Sequence, residues 1–164
     1  LRTLETLRNM THEEAVAFEK MCAHCIMIVG SHAILQDEGY LKEFGIPFGM
    51  LLKLSECGLI NSSALLSINV RVNREKPLVI RTDDYVAIAT TNEIKTVDIG
   101  MYPLTSSGIE LSKIAGCHME LDEFKAVARK IEENTNFSLF KIYRIKEIQG
   151  ERISYNMAEN LRDE

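Results

Sequence analysis

The sequence predicts an α+β domain, and three observations predict it. Apolar residues recur at spacings of three and four through the first sixty residues, as on amphipathic helices. Between residues 65 and 103 the pattern becomes an alternation, as on half-buried strands. Two further helical stripes and a terminal segment rich in β-formers follow. The expected arrangement is N-terminal helices, a core with a small antiparallel sheet, then a C-terminal helix and β-hairpin. With 164 residues, 46% hydrophobic and 26% charged, the chain can fill one substantial core, so a single domain over 1–164 is expected and a disordered chain is excluded.

The elements are expected as follows. Leu1, Leu4 and Leu7 share one face of a short lead-in helix. Thr11 and Glu14 form a capping box, each able to bond the other's backbone N–H. The helix that follows places Ala15, Phe18, Cys22, Cys25 and Val29 on one stripe, and Gly30 ends it. His32 to Phe44 suggests one or two short helices interrupted at Gly39. Pro47 opens the next helix, with Phe48, Leu51, Leu52 and Leu54 as its buried face and Gly58 just past its end. Leu66, Ile68, Val70 and Val72 alternate as a strand, and Asn73 to Pro77 is a turn. Val79-Ile80, Tyr85 to Ala89 and Thr96 to Tyr102 continue the sheet, with a turn at Asn92-Glu93. Thr105 caps a helix carrying Ile109, Leu111 and Ile114, which Gly116 terminates. Leu121 to Glu133 is another amphipathic helix. Phe137 to Ile148 reads as β, turning at Gln149-Gly150 into a hairpin with Ile153 to Tyr155, and the last residues read as a frayed tail.

Two motifs in the middle carry a resemblance. Leu51-x-x-Leu54-x-x-x-Gly58-Leu59-Ile60, then strands, then Leu104-Thr105-x-x-Gly108-x-x-Leu111 resembles a winged helix over roughly residues 40–116. With the Thr11 capping-box helix, the whole pattern also resembles an uncharacterised bacterial domain family, a domain of unknown function from which no activity transfers. The stretch from Ile60 to Leu104 is longer than a two-stranded wing requires, so an extra strand is expected.

Many winged helices bind duplex DNA, and the resemblance implies that possibility here. The helix offers Lys53 as its single cation, whereas the wing offers Arg71, Arg74, Lys76 and Arg81. Residues 61–103 hold five bases (those four and Lys95) and five acids (Glu75, Asp83, Asp84, Glu93 and Asp98), so no cationic excess favours phosphate contact. The net charge of −5 points the same way.

No constellation assigns a reaction. Cys22-Ala23-His24-Cys25, with Cys57 and Cys117-His118, has ligands for zinc, but the pair shares the apolar stripe of Phe18 and packs better as small hydrophobes. His12, His24, His32 and His118 are dispersed, and no nucleophile elbow, P-loop or dinucleotide fingerprint is present. Asp83-Asp84 suits a turn and Asp122-Glu123 a helix N-terminus. No catalytic residue, cofactor or metal is therefore expected.

Scattered cysteines in a chain this size read as reduced thiols of a cytoplasmic protein. No signal peptide or membrane span is visible, and a first residue of Leu suggests a piece of a longer protein. The expected role is a non-catalytic module contacting another protein or a second copy of itself. The alternative is a nucleic-acid-binding regulator using the wing cations.

Overall fold

The computed structural model describes residues 2–63, 66–137 and 139–163, so Leu1 of the expected lead-in stripe lies outside the described residues. Helix α1 spans Arg2–Asn9 and α2 His12–Cys22. The Thr11 capping box forms as its residue types dictate, Glu14 N–H reaching Thr11 Oγ1 at 3.3 Å and Thr11 N–H reaching Glu14 Oε2 at 2.7 Å.

The next segment departs from expectation. The helix does not run on to Gly30 but stops at Cys22, and Ile26–Ile28 (β1) and Ser31–Leu35 (β2) form a hairpin. Val29 and Gly30 both have positive φ (48° and 75°), as a two-residue type I′ turn requires. The expected helix at His32 is thus strand β2, and Gly39 lies inside α3 (Glu38–Glu43) and does not interrupt it. The error has a physical source. Cys22 and Cys25 are buried in either conformation, and a three-residue strand is too short to display its alternation.

Helix α4 (Phe48–Glu56) follows Pro47, and Gly58 takes φ 72° beyond its end. Leu51 and Leu54 are buried, but Phe48 and Leu52 point to solvent, so the expected buried face is narrower. Strands β3 (Ser67–Val72), β4 (Leu78–Arg81), β5 (Tyr85–Ala89) and β6 (Lys95–Pro103) lie where alternation placed them. Helices α5 (Ser106–Ala115) and α6 (Leu121–Thr135), then β7 (Lys141–Gln149) and β8 (Arg152–Tyr155), complete the order.

All eight strands join one antiparallel sheet, ordered β3-β6-β2-β1-β4-β5-β7-β8, which is larger than the small sheet expected. The strands of residues 40–116 are not a sheet of their own, because β1 and β2 lie between β6 and β4. Only residues 73–77 join β3 to β4, although three strands separate them in the order. A flat sheet would set them about 19 Å apart, four strand spacings. The linker instead folds back, Asn73 N–H donating to Lys76 C=O at 3.0 Å, so the sheet curls.

The two motifs of the middle region meet in space. Thr105 N–H donates to Leu59 C=O at 2.9 Å, Thr105 Oγ1 to Gly58 C=O at 2.6 Å, and Ile60 bridges Leu104. Gly108 packs directly on that backbone: a Cβ there would stand 2.1 Å from Leu59 O. The glycine of the second motif is the seat of α5 against the first. The other end of α5 is also tied down, with Gly116 at φ 81° and Cys117 N–H donating to Asp83 Oδ2 at 2.8 Å.

Most of the buried apolar side chains form one cluster, in which Tyr40, Phe124 and Phe140 are the largest that are fully buried. Cys22, Cys25 and Cys117 belong to it, and burial pushes the Cys22 thiol up to about 12 and Cys117 to about 11. The tail is not frayed among its described residues. Leu161 is buried, and Arg162 clasps Glu132 with both terminal nitrogens while donating to Phe140 C=O at 2.8 Å.

Candidate functional site

The five cations singled out from the sequence fall on different parts of the fold. Lys53, on α4, lies 3.4 Å from Glu13 of α2. Arg71 is on the exposed face of β3, opposite Thr96 and beside the Asn69–Asp98 hydrogen bond of 2.8 Å. Arg74 and Lys76 are exposed in the turn that Asn73 Oδ1 organises by accepting from the N–H groups of Glu75 and Lys76. Arg81 is half-buried at the end of β4. Among the described residues, none of Arg71, Arg74, Lys76 and Arg81 has a carboxylate within ion-pair distance.

Arg81 has neighbours that the sequence reading did not connect to it. The register pairs Met27 with His32 on one side and with Arg81 on the other. Three residues from β2, β1 and β4 thus stand in a row across the sheet. Directly opposed residues share a face, so the row presents a histidine, a thioether and a guanidinium together. Val79 shares that face two residues before Arg81, and α5 supplies Ile109 and Lys113, one helical turn apart. Together they line a groove of about 590 Å³, with Glu151 and the Val29-Gly30 turn at its rim. The His32 ring is held below its ordinary pKa by burial and by the nearby Arg81 and Lys113, with Asp83 opposing. Its Nδ1 is buried without a hydrogen-bond partner.

A second surface is apolar. Helix α1 buries none of its described side chains, and Leu4 and Leu7 are 68% and 49% exposed. Thr3 hydrogen-bonds Glu110, and Leu7 lies by Leu111 and Ile114, so α1 runs alongside α5. Leu7, Met10, Phe18, Leu111 and Ile114 line a groove of about 360 Å³ between α1, α2 and α5. Ile114, one of the apolar residues noted on this helix in the sequence, is 82% exposed.

Of the acids weighed from the sequence, Asp83, Asp84 and Glu123 have structural partners. Asp84 Oδ2 lies 2.8 Å from His118 Nδ1, a hydrogen bond that raises the histidine pKa. Glu123 is buried, where the sequence suggested only a helix-terminal charge. Its Oε1 accepts from Tyr40 O–H at 2.7 Å and from His24 Nδ1 at 2.6 Å, joining α6 to α3 and to the segment after α2. Burial and then the Glu123 carboxylate push the Tyr40 hydroxyl far up, so it stays protonated and donates. The cluster closes a buried polar gap and lines none of the grooves described.

Among the described residues, no group of three or more His, Cys, Asp and Glu side chains is placed to hold a metal ion. No helix there is long and apolar enough to cross a membrane. No curated protein and no solved structure matches the chain. A family model described as "Protein of unknown function (DUF2806)" matches residues 1–128, which includes both grooves except Glu151. The chain belongs to the DUF2806 family, whose function is unknown.

Proposed function

We propose that the chain is a non-catalytic interaction module that binds a second copy of itself through the apolar groove between α1, α2 and α5. The observation that carries this reading is the exposure of Leu7 and Ile114, which line that groove, with Leu4 exposed one turn before Leu7 on α1. Each exposed leucine or isoleucine side chain forfeits about 2 kcal/mol that burial would supply. A surface that concentrates several of them marks a contact. Glu19 of α2 is the one charged side chain among those lining the groove, so the surface is predominantly apolar. Protonated, buried thiols at Cys22 and Cys117 fit a reducing compartment such as the cytoplasm.

Sedimentation across a concentration series tests the reading. Dimer formation that Leu7→Glu and Ile114→Glu abolish without loss of the folded circular dichroism spectrum supports it. A monomer at every concentration sinks it.

A second reading keeps nucleic acid as the partner, because Arg71, Arg74 and Lys76 are exposed and without carboxylates at ion-pair distance among the described residues. Fluorescence anisotropy of a random-sequence duplex decides it. Binding that weakens steeply with salt and disappears when these three become Ala supports the reading, and no binding at low salt removes it.

A further inference from the structure

We propose that the groove between the β2–β1–β4 row and α5 binds a small organic anion, its charged head between Arg81 and Lys113 and its apolar body over Met27, Val79 and Ile109. The size fits: about 590 Å³ is within the range of small-molecule sites. The chemistry fits as well. Arg81 and Lys113 reach the groove from different elements, and among the described residues neither has a carboxylate within ion-pair distance. Two cations brought together this way repel each other until an anion lies between them. A guanidinium on a strand and an ammonium on a helix also approach an oxyanion from two directions, which sets its position.

His32 lines the groove beside the two cations, so its ring senses what the groove holds. Its Nδ1 is closed to solvent and has no partner, so a ligand in the open groove does not reach that atom. Burial and the neighbouring Arg81 and Lys113 hold the ring below its ordinary pKa, so it does not add a third charge at neutral pH.

The acids nearby narrow the ligand. Asp83 is committed to Cys117 N–H at 2.8 Å and lies outside the lining. Glu151, on the β7–β8 turn, does line the groove and repels any second anionic group along the ligand. The site therefore suits one phosphate or carboxylate on an apolar body, and disfavours a polyphosphate or a nucleic-acid backbone. The rim adds a strained element. Val29 is β-branched yet holds φ 48° and is 61% exposed, an outlier of the kind that accumulates at ligand sites.

The test follows the His32 ring resonances by NMR while the protein is titrated with phenyl phosphate, benzoate and inorganic phosphate. The expected result is a saturable shift with at least one aromatic anion, binding roughly tenfold tighter than inorganic phosphate because the apolar body is covered too. Arg81→Gln and Lys113→Gln should each weaken that binding roughly tenfold. Lys113 is on the surface, so its variant remains folded even if the Arg81 variant does not. The tighter of the two aromatic anions identifies the head group. The proposal is overturned if neither aromatic anion produces a saturable shift, or if Lys113→Gln binds as tightly as the unaltered protein. It is equally overturned if a duplex displaces the aromatic anion from His32 and binds more tightly, since Glu151 should prevent that.

Discussion

Helix α5 separates two surfaces that are incomplete for different reasons. On one flank Leu111 and Ile114 meet Leu7 of α1 in an apolar groove; on the other Ile109 and Lys113 overlook His32 and Arg81. At about 100° per residue, Leu111 and Lys113 point to nearly opposite sides, so a ten-residue helix serves both. The apolar flank lacks a cover and would accept any surface of matching shape, because hydrophobic attraction has no direction. The polar flank holds two cations that, among the described residues, have no carboxylate within ion-pair distance, and the ligand proposed for it is an oxyanion at one position. Unsatisfied apolar area selects a partner's shape, whereas unsatisfied charge selects its chemistry. The buried Glu123 cluster is the contrasting case, since its hydrogen bonds come from within the chain.

The change that breaks the comparison most completely is Gly108→Ala. A methyl group 2.1 Å from Leu59 O must lift α5 from its seat. We expect a loss of about 3 kcal/mol in chemical denaturation and impairment of both grooves together. Next in size is the separation of the two flanks. Ile114→Glu should raise the dimer dissociation constant at least tenfold and leave anion binding unchanged, which sedimentation and the His32 titration would show side by side.

Salt gives a finer division without any substitution. Raising ionic strength should weaken anion binding at Arg81 and Lys113 several-fold while sparing the apolar self-association. If both respond alike, the flanks are not chemically distinct.

The smallest expected effect concerns how the end of α5 is held. Asp84 raises the His118 pKa in the folded state above its ordinary 6.5. That stabilisation is full below 6.5, provided Asp84 stays ionised, and is lost as pH rises through the raised value. Both side chains are well exposed, so Asp84→Asn should cost less than about 1 kcal/mol at pH 6 and nothing at pH 9, read from denaturation midpoints.

Much of the fold was legible in residues a few positions apart. Thr11 and Glu14 announced α2, Thr105 announced α5, and Gly58 and Gly116 marked helix ends through positive φ. The β7–β8 hairpin was visible from its β-formers and Gly150, although Gln149 pairs with Arg152, so the two turn residues are Gly150-Glu151 and not the expected Gln149-Gly150. The β1–β2 hairpin was not, because Val29-Gly30 is an unusual turn and Cys22, Cys25 and Val29 keep a helical spacing by coincidence. Arg81 was legible as a cation of interest, but Met27, His32 and Lys113 were not legible as its neighbours, since nothing local records which strand pairs with which.

Fold class, the caps of α2 and α5, most helix ends and the strands after residue 65 were readable locally, because these signals are satisfied within a turn or along a strand's own alternation. The size of the sheet, the row from His32 to Arg81, the burial of Glu123 and the docking of Thr105 and Gly108 on Gly58-Leu59 emerged from long-range packing. Those depend on partners far apart in the chain, and they are selected by which pairing buries apolar surface while leaving few backbone groups unbonded.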